Sequence, residues 1–443
     1  MQNVEFEKQV ALYKNHPEWR DWLLQGKFGL ELEINRVKIN GSLSHQPYPD
    51  VFGDRQTHPF LKSDYSEGMF ELVTSAQETM KESRTELGYL INLLRDELGD
   101  AEMLWPLSLP PRLRENDLDW LDQTFERFWL QEYRDHLKQR YGSAHAIISG
   151  PHINFSLSTD LLEALFALSQ TEDQTEHNNQ IYFKFAQGID RYRWLFIYLF
   201  GSSPIALDKS DWEIPNDLGP VRSLRNSIYG YVNSADVEID PSQNFEIYTE
   251  QIAKAIKDGR LFSNHEYYGT VRFKGADEYQ TLLEQGINYL ELRVIDTNPF
   301  DEFGLSLIDL EAVQLILLWI FISDRDYSFG ESKMARQQAN IVALQHPDDF
   351  VMDRIIIKDL LDELIMINDL FDEQFTSGLE MITERLLDPT KTPAAKLMQL
   401  APDAVRMQDL GTKLGLARQR DYLENDLPET VRTKMRERLR GTE

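Results

Sequence analysis

The plainest chemistry in the sequence belongs to Glu31 and Glu33, in the run FGLELEINRVKI over residues 28–39. Side chains of an extended strand alternate between its two faces. Phe28, Leu30, Leu32 and Ile34 then share an apolar face, and Glu31, Glu33 and Asn35 share the other. Two carboxylates on one face, with no basic residue between them, repel each other. A cation above them, or a proton on one of them, relieves this. A divalent metal is the simplest such cation, and a solvated face is the alternative. Other stretches repeat the pattern. Residues 69–74 place Met69, Glu71 and Val73 on one face; ISGPHINFSL places His152, Asn154 and Ser156 together; INYLELRVID does the same for Tyr289, Glu291 and Arg293. Asp64 and Glu67 lie in the loop before Glu71. With these polar faces aligned in one sheet, the result is a cradle of carboxylates around a single imidazole. Mg²⁺ takes oxygen ligands and completes its shell with phosphates. One histidine suits Mg²⁺ or Mn²⁺, whereas a site rich in His or Cys suits zinc. Arg293, two residues from Glu291, supplies a cation for phosphate. Singly, each residue has an ordinary reading: a solvated Glu, a core histidine, an Arg293–Glu291 ion pair. The case rests on the repetition, and alternation does not establish that the strands are neighbours.

The elements that must carry these residues are read from periodicity. The sequence predicts helices at residues 4–14 and 16–24, the strand at 28–39, and a turn at Asn40-Gly41. Residues 46–60 read as loop. Beyond the second strand come an amphipathic helix at 76–98, a proline-rich stretch at 104–113, and one long helix at 116–141. Helices are expected at 159–169 and 180–200, separated by the polar loop TEDQTEHNN. VRSLRNSIYGYVN reads as mixed turn and strand, 244–258 as helix, and YYGTVRFK as a strand with Tyr268, Thr270 and Arg272 on one face. A short helix at 277–285 precedes the last strand. From residue 305 the pattern is helical, including 306–323, 331–345 and an unbroken 354–386, with a basic helix at 431–440. This is an α+β layout with helices packed on a sheet. Its expected organisation is a cradle over residues 1–300, with 301–443 a mainly helical region packed on it within the same domain.

Composition excludes several functions. The 443 residues carry a formal net charge of -28 and no cysteine. Such a surface repels nucleic acid and anionic lipid, and disulfides, thiolate metal sites and a cysteine nucleophile are ruled out. The charge also favours a monomer. The N-terminal run is charged and does not read as a signal peptide. The apolar runs at 194–200 and 315–322 fall short of the ~18–20 residues of a membrane span, so a cytoplasmic location is expected. No phosphate-binding glycine loop is present. Tyr133, Tyr231 and Tyr268 read at first as packed tyrosines with satisfied hydroxyls.

A series of blocks then carries a resemblance: GLELE at 29–33, SDYSEGMFELVT at 63–74, LWPLSLP at 104–110 and RYGSAHAIISGPHINFSL at 140–157, followed by RYRWLFIYLFGSSPIA at 191–206, SLRNSIYGY at 223–231 and INYLELRVIDTNPF at 287–300. In this order and at these intervals they resemble the bacterial glutamate–cysteine ligases and the N-terminal half of Gram-positive bifunctional glutathione synthetases, over roughly residues 25–300. The resemblance implies a glutamine-synthetase-like fold, in which an antiparallel sheet curves into a cradle with helices around it. It also implies ATP- and Mg²⁺-dependent joining of the glutamate γ-carboxylate to the cysteine amine, the first step of glutathione synthesis. By resemblance, Glu31, Glu33, Asp64, Glu71, His152 and Glu291 are metal ligands, with Glu291 and Arg293 catalytic and Arg293 on the transferring phosphate. Tyr133, Arg134, Arg225, Tyr231 and Tyr268 match positions lining the amino-acid pocket, and Arg272 a basic position near the nucleotide. Leu32 stands where many family members carry a basic residue; alternation puts it on the core face, away from the metals. The chain reaches Glu443 without the ATP-grasp module of the bifunctional enzymes, so it is not expected to make glutathione alone. Three other readings stay open: a γ-glutamyl ligase for another amine, a non-catalytic nucleotide- and metal-binding regulator, and a metal-dependent hydrolase.

Overall fold

The computed structural model describes residues 2–54, 57–123, 128–209, 212–351, 354–425 and 428–439. Its centre is an antiparallel sheet. The strands are β1 (Phe28–Lys38), β2 (Leu61–Ser63), β3 (Met69–Val73), β4 (Glu102–Leu104), β5 (Pro151–Phe155), β6 (Val271–Lys274) and β7 (Tyr289–Leu292). They run in the order β2-β3-β1-β5-β7-β6, with β4 paired to the end of β1. The eleven-residue β1 is the spine, because it pairs with β3, β5 and β4.

One face of this sheet is apolar for the reason alternation gives. Leu30, Leu32, Leu72, Ile153, Leu290 and Leu292 are each at most 1 % exposed and join a single core with the helices. Each fully buried side chain of this size stabilises the fold by about 1.5–3 kcal/mol. Met80–Leu98 packs on β1. It starts at a capping box between Thr79 and Glu82 and stops at Gly99, φ 59°. Leu307–Ser323, begun by a second capping box at Ser306 and Asp309, is largely apolar and mostly buried beyond an exposed start at Leu307 and Ile308. Among the described residues, no helix is long and apolar enough to cross a membrane.

The helical expectations need correcting at several places. The helix expected over 354–386 is two, Arg354–Leu370 and Thr376–Leu387. Asp372 and Glu373 adopt positive φ between them, so that Phe371 and Phe375, 3 % and 1 % exposed, both reach the core. The Asn368 side chain accepts from the Phe375 N–H, fixing the reversal. The helix expected over 116–141 ends at Leu121 and resumes at Phe128–Tyr141; residues 124–127 between them lie outside the described residues. Polar TEDQTEHNN is mostly the start of Gln174–Arg191, capped by Asp173, whose side chain accepts from Glu176 N–H. The 221–233 stretch holds no strand; only a lone bridge joins Ser203 to Ser223. This segment winds tightly at Gly230, where a Cβ would lie 2.1 Å from the Arg225 carbonyl oxygen.

Candidate active site

Register brings the polar residues together. Opposite residues of antiparallel strands project to the same side. Lys62 lies opposite Glu71, and Glu71 opposite Glu33. Glu31 lies opposite His152. Asn154 faces Glu291, and Glu291 faces Arg272. The polar faces thus form one surface, with Glu31, Glu33, His152 and Glu291 all buried.

At its middle, His152 Nδ1 is 3.5 Å from both Glu31 Oε2 and Glu291 Oε1, and Nε2 is 4.0 Å from Glu33 Oε1. Ligand atoms of Glu31, His152 and Glu291 all lie within 4.8 Å of one another, a group that could hold a metal ion. Asn154 Nδ2 donates to Glu31 Oε1 at 2.8 Å and orients that carboxylate. Burial, then the Arg293 charge, lowers the His152 pKa to about 4, so the imidazole is neutral at pH 7. Both its ring nitrogens, and Glu33 Oε2, are buried without a hydrogen-bond partner. Buried polar atoms ordinarily have one. These donors fit a divalent cation with oxygen and imidazole ligands.

The site is electrically lopsided. Around Glu291 stand Arg293, in direct contact, Lys274 at 2.5 Å and Arg272 at 3.8 Å. Burial works against the Glu291 charge, but Arg293, Arg272 and Lys274 outweigh it and hold the carboxyl well below its usual range. Glu291 and Glu33 in turn keep Arg293 firmly protonated against its burial. Glu31 is drawn below its usual range as well: burial and the Glu291 charge oppose ionisation, but His152 and Lys274 prevail. At the β1–β3 side the balance reverses. Burial and then Asp64 push Glu33 well above the carboxylate range. Burial, then Glu31 and Asp64, push Glu71 up to about 7. One side of the cradle holds its own cations, and the other is short of positive charge.

The amino-acid pocket residues expected from the sequence separate into two groups. Tyr231, Tyr268 and Arg225 come together: the Tyr231 ring lies 5.2 Å from that of Tyr268, and the Arg225 guanidinium is 5.4 Å from the Tyr231 centroid. The Tyr231 hydroxyl donates to the Ile148 carbonyl at 2.7 Å. Buried Arg225 donates to the carbonyls of Arg293 and Ile295, leaving Nε without a partner. Gly150 permits this, since a Cβ there would sit 2.7 Å from the guanidinium. Tyr133, on Phe128–Tyr141, packs against Phe262. Burial, helped by Asp64 and Glu266, raises the pKa of its hydroxyl against the opposing charges of Arg272 and Arg293, neighbours that put it at the cradle rim. Arg134 is not brought to the cradle. It donates to the carbonyls of Leu121 and Gln123 and stacks over Tyr65, closing the helix that ends at Leu121. Glu67 accepts from the Tyr48 N–H, while Arg272 donates to the His265 carbonyl at the rim.

Sequence reasoning missed Lys274 and Lys62. Lys274 follows Arg272 by two residues and shares its face, so extending the alternation in YYGTVRFK finds it. Lys62 lies on the three-residue β2, too short to show a period.

Beneath the tyrosines, buried His145 donates from Nε2 to the Gly230 carbonyl at 2.7 Å and stacks with Tyr141. Burial lowers its pKa to about 4. The unfolded chain takes up this proton near pH 6.5 and the folded one does not, so stability falls as pH drops from 6.5 to 4. The share due to His145 is about 3 kcal/mol. Urea unfolding at pH 7 and pH 4.5 checks this. The stability gap between wild type and His145→Gln should narrow at the lower pH, and a gap independent of pH contradicts the assignment.

A model of the glutamate-cysteine ligase family matches residues 12–261 and 257–343. The glutathione biosynthesis bifunctional protein of Streptococcus agalactiae is 34% identical over 400 residues, which is 89% of this chain and 52% of that protein. The Streptococcus thermophilus counterpart is 35% identical over 388 residues, 86% of this chain and 50% of that one. The chain therefore spans about half the length of the curated relatives it matches. The crystal structure of a bifunctional glutathione synthetase from Pasteurella multocida is similar with TM-score 0.84 and 28% identity, over 93% of this chain and 54% of that one. The glutamate–cysteine ligase of Francisella tularensis, crystallised with AMP, shares the fold at TM-score 0.81 and 24% identity, over 94% of this chain and 92% of that one. With a family model spanning most of its length and relatives above 30% identity along nearly all of it, the chain belongs to the glutamate-cysteine ligase family.

Proposed function

We propose that this chain joins the γ-carboxylate of L-glutamate to the amine of L-cysteine at the expense of ATP. The observation that supports this most is the register that sets Glu31, His152 and Glu291 around one point, with Arg293, Arg272 and Lys274 clustered beside it. A carboxylate is a poor electrophile. Transfer of the ATP γ-phosphoryl group makes γ-glutamyl phosphate and ADP; the cysteine nitrogen then attacks the acyl carbon, phosphate leaves, and the nitrogen loses its proton. Crowded oxyanions of this kind need nearby positive charge.

We infer Mg²⁺ as the cation, held by Glu31, Glu33, Asp64, Glu71, His152 and Glu291; bound there, it supplies charge neutralisation for the phosphates. The chain's own cations do the rest. Arg293 contacts the transferring phosphoryl group, and Arg272 and Lys274 hold the nucleotide phosphates. Arg225 suits a substrate α-carboxylate through its unpartnered Nε. Tyr231, Tyr268 and Tyr133 wall the amino-acid pocket. We keep the monomer and the cytoplasmic location as part of this reading.

The test is ADP release by the purified chain with ATP, Mg²⁺ and L-glutamate, adding L-cysteine or other amines in turn. Stimulation by cysteine above all other amines is expected. Stimulation by a different amine alone would move the acceptor. No release with any amine would sink the ligase reading and favour a binding role.

A further inference from the structure

A cavity of about 220 Å³ lies on the other side of β6 from the carboxylates. Alternation along β6 explains its position: Arg272 and Lys274 face the cradle, while Val271 and Phe273 line this cavity. Its apolar wall is aromatic. Phe183, Tyr248 and Phe273 lie with ring centroids 5.2 to 5.8 Å apart. Its polar wall is carried by Asp190, Arg193 and Arg336.

The charges in this wall do not balance. Asp190 is already engaged, accepting from the Thr270 hydroxyl at 2.6 Å and the Tyr327 hydroxyl at 2.7 Å. Arg336 donates to the Ile239 carbonyl. Arg193 makes no hydrogen bond or ion pair among the described residues, and its Nε is buried without a partner. The neighbouring charges that act on Arg193 are Asp190, Arg336 and Arg225, so positive charge is in excess. Arg193 is half-buried, and a guanidinium partly withdrawn from water is ordinarily paired. Here it borders an open space with an aromatic floor, in a chain whose net charge is -28. An anion from solution would complete the pairing, and the aromatic floor would accept an apolar group attached to it.

We propose that this cavity binds a small amphipathic oxyanion. Its carboxylate or phosphate pairs with Arg193, and its aromatic or branched aliphatic body fills the space between Phe183, Tyr248 and Phe273. The site lies across β6 from the carboxylates, with Tyr268 lining both it and the proposed amino-acid pocket, and it does not depend on the ligase reading.

The test is calorimetry on the full chain with 3-phenylpropionate, phenyl phosphate and the uncharged 3-phenylpropan-1-ol. The better of the two anions should bind at least about tenfold more tightly than the alcohol, and which anion wins identifies the head group. In Arg193→Met the preference for the anion should vanish. Equal affinity for anion and alcohol, or a preference that survives in Arg193→Met, would overturn the proposal; the second result would place the anion among the cradle cations. Should Arg193→Met fail to fold, the wild-type protein still decides. Phenylglyoxal modification at Arg193, mapped by peptide mass, should slow at least about tenfold with the better anion present. An unchanged rate at Arg193 would remove it from the site.

Discussion

Glu291→Gln should lower cysteine-dependent ADP release by about 10³-fold, since on the proposed reading the metal loses a ligand and the transition state several kcal/mol of stabilisation. The amide keeps the shape of the side chain and loses only its charge. That charge has two roles in the structure. It lies 3.5 Å from His152 in the group that could hold a metal. It also counters Arg293, Lys274 and Arg272, which crowd around it. Taking one partner out of a buried ion pair costs about 3–5 kcal/mol, so the melting temperature of the ligand-free variant should drop as well. Circular dichroism at the assay temperature separates the two effects. A folded variant with turnover within tenfold of wild type would remove Glu291 from the chemistry.

Arg293→Met is expected to cut kcat by about 10³-fold or more, the scale of arginines that stabilise a transferring phosphoryl group. ATP affinity, measured by calorimetry, should change only a few-fold, because the contact strengthens as charge moves in the transition state. Arg293→Lys should recover part of the loss, since lysine restores the charge without the planar fork. A variant with unchanged kcat and a raised KM for ATP would make Arg293 a ground-state holder of phosphate. Arg293 is half-buried against Glu291, and its backbone is fixed by the bond from its N–H to the Thr270 carbonyl. A side chain so anchored is placed before substrate arrives.

The cradle was legible because alternation is a local property. Glu31 with Glu33, His152 with Asn154, and Glu291 with Arg293 each sit two residues apart, and period two puts both members of a pair on one face whatever else the chain does. The apolar face was legible for the same reason, as Leu30, Leu32 and Leu292 show. Helix breaks were less so. The reversal at Asp372–Glu373 is driven by Phe371 and Phe375 both entering a core built from distant segments, and nothing in the local pattern announces it.

Alternation and motif order therefore sufficed to assign the family, the α+β class and most of the charged cradle. Which strands adjoin, and so which charges meet, depended on long-range pairing. Register set Lys274 beside Glu291 and left Glu33 and Glu71 without comparable cations, a difference of neighbours between carboxylates of the same type. Packing set Arg134 against the carbonyls of a helix end. It also left Arg193 unpaired at a cavity. Coulomb interactions and desolvation act through space over a few ångströms. Residues hundreds of positions apart can meet at that range, and only the folded chain says which ones do.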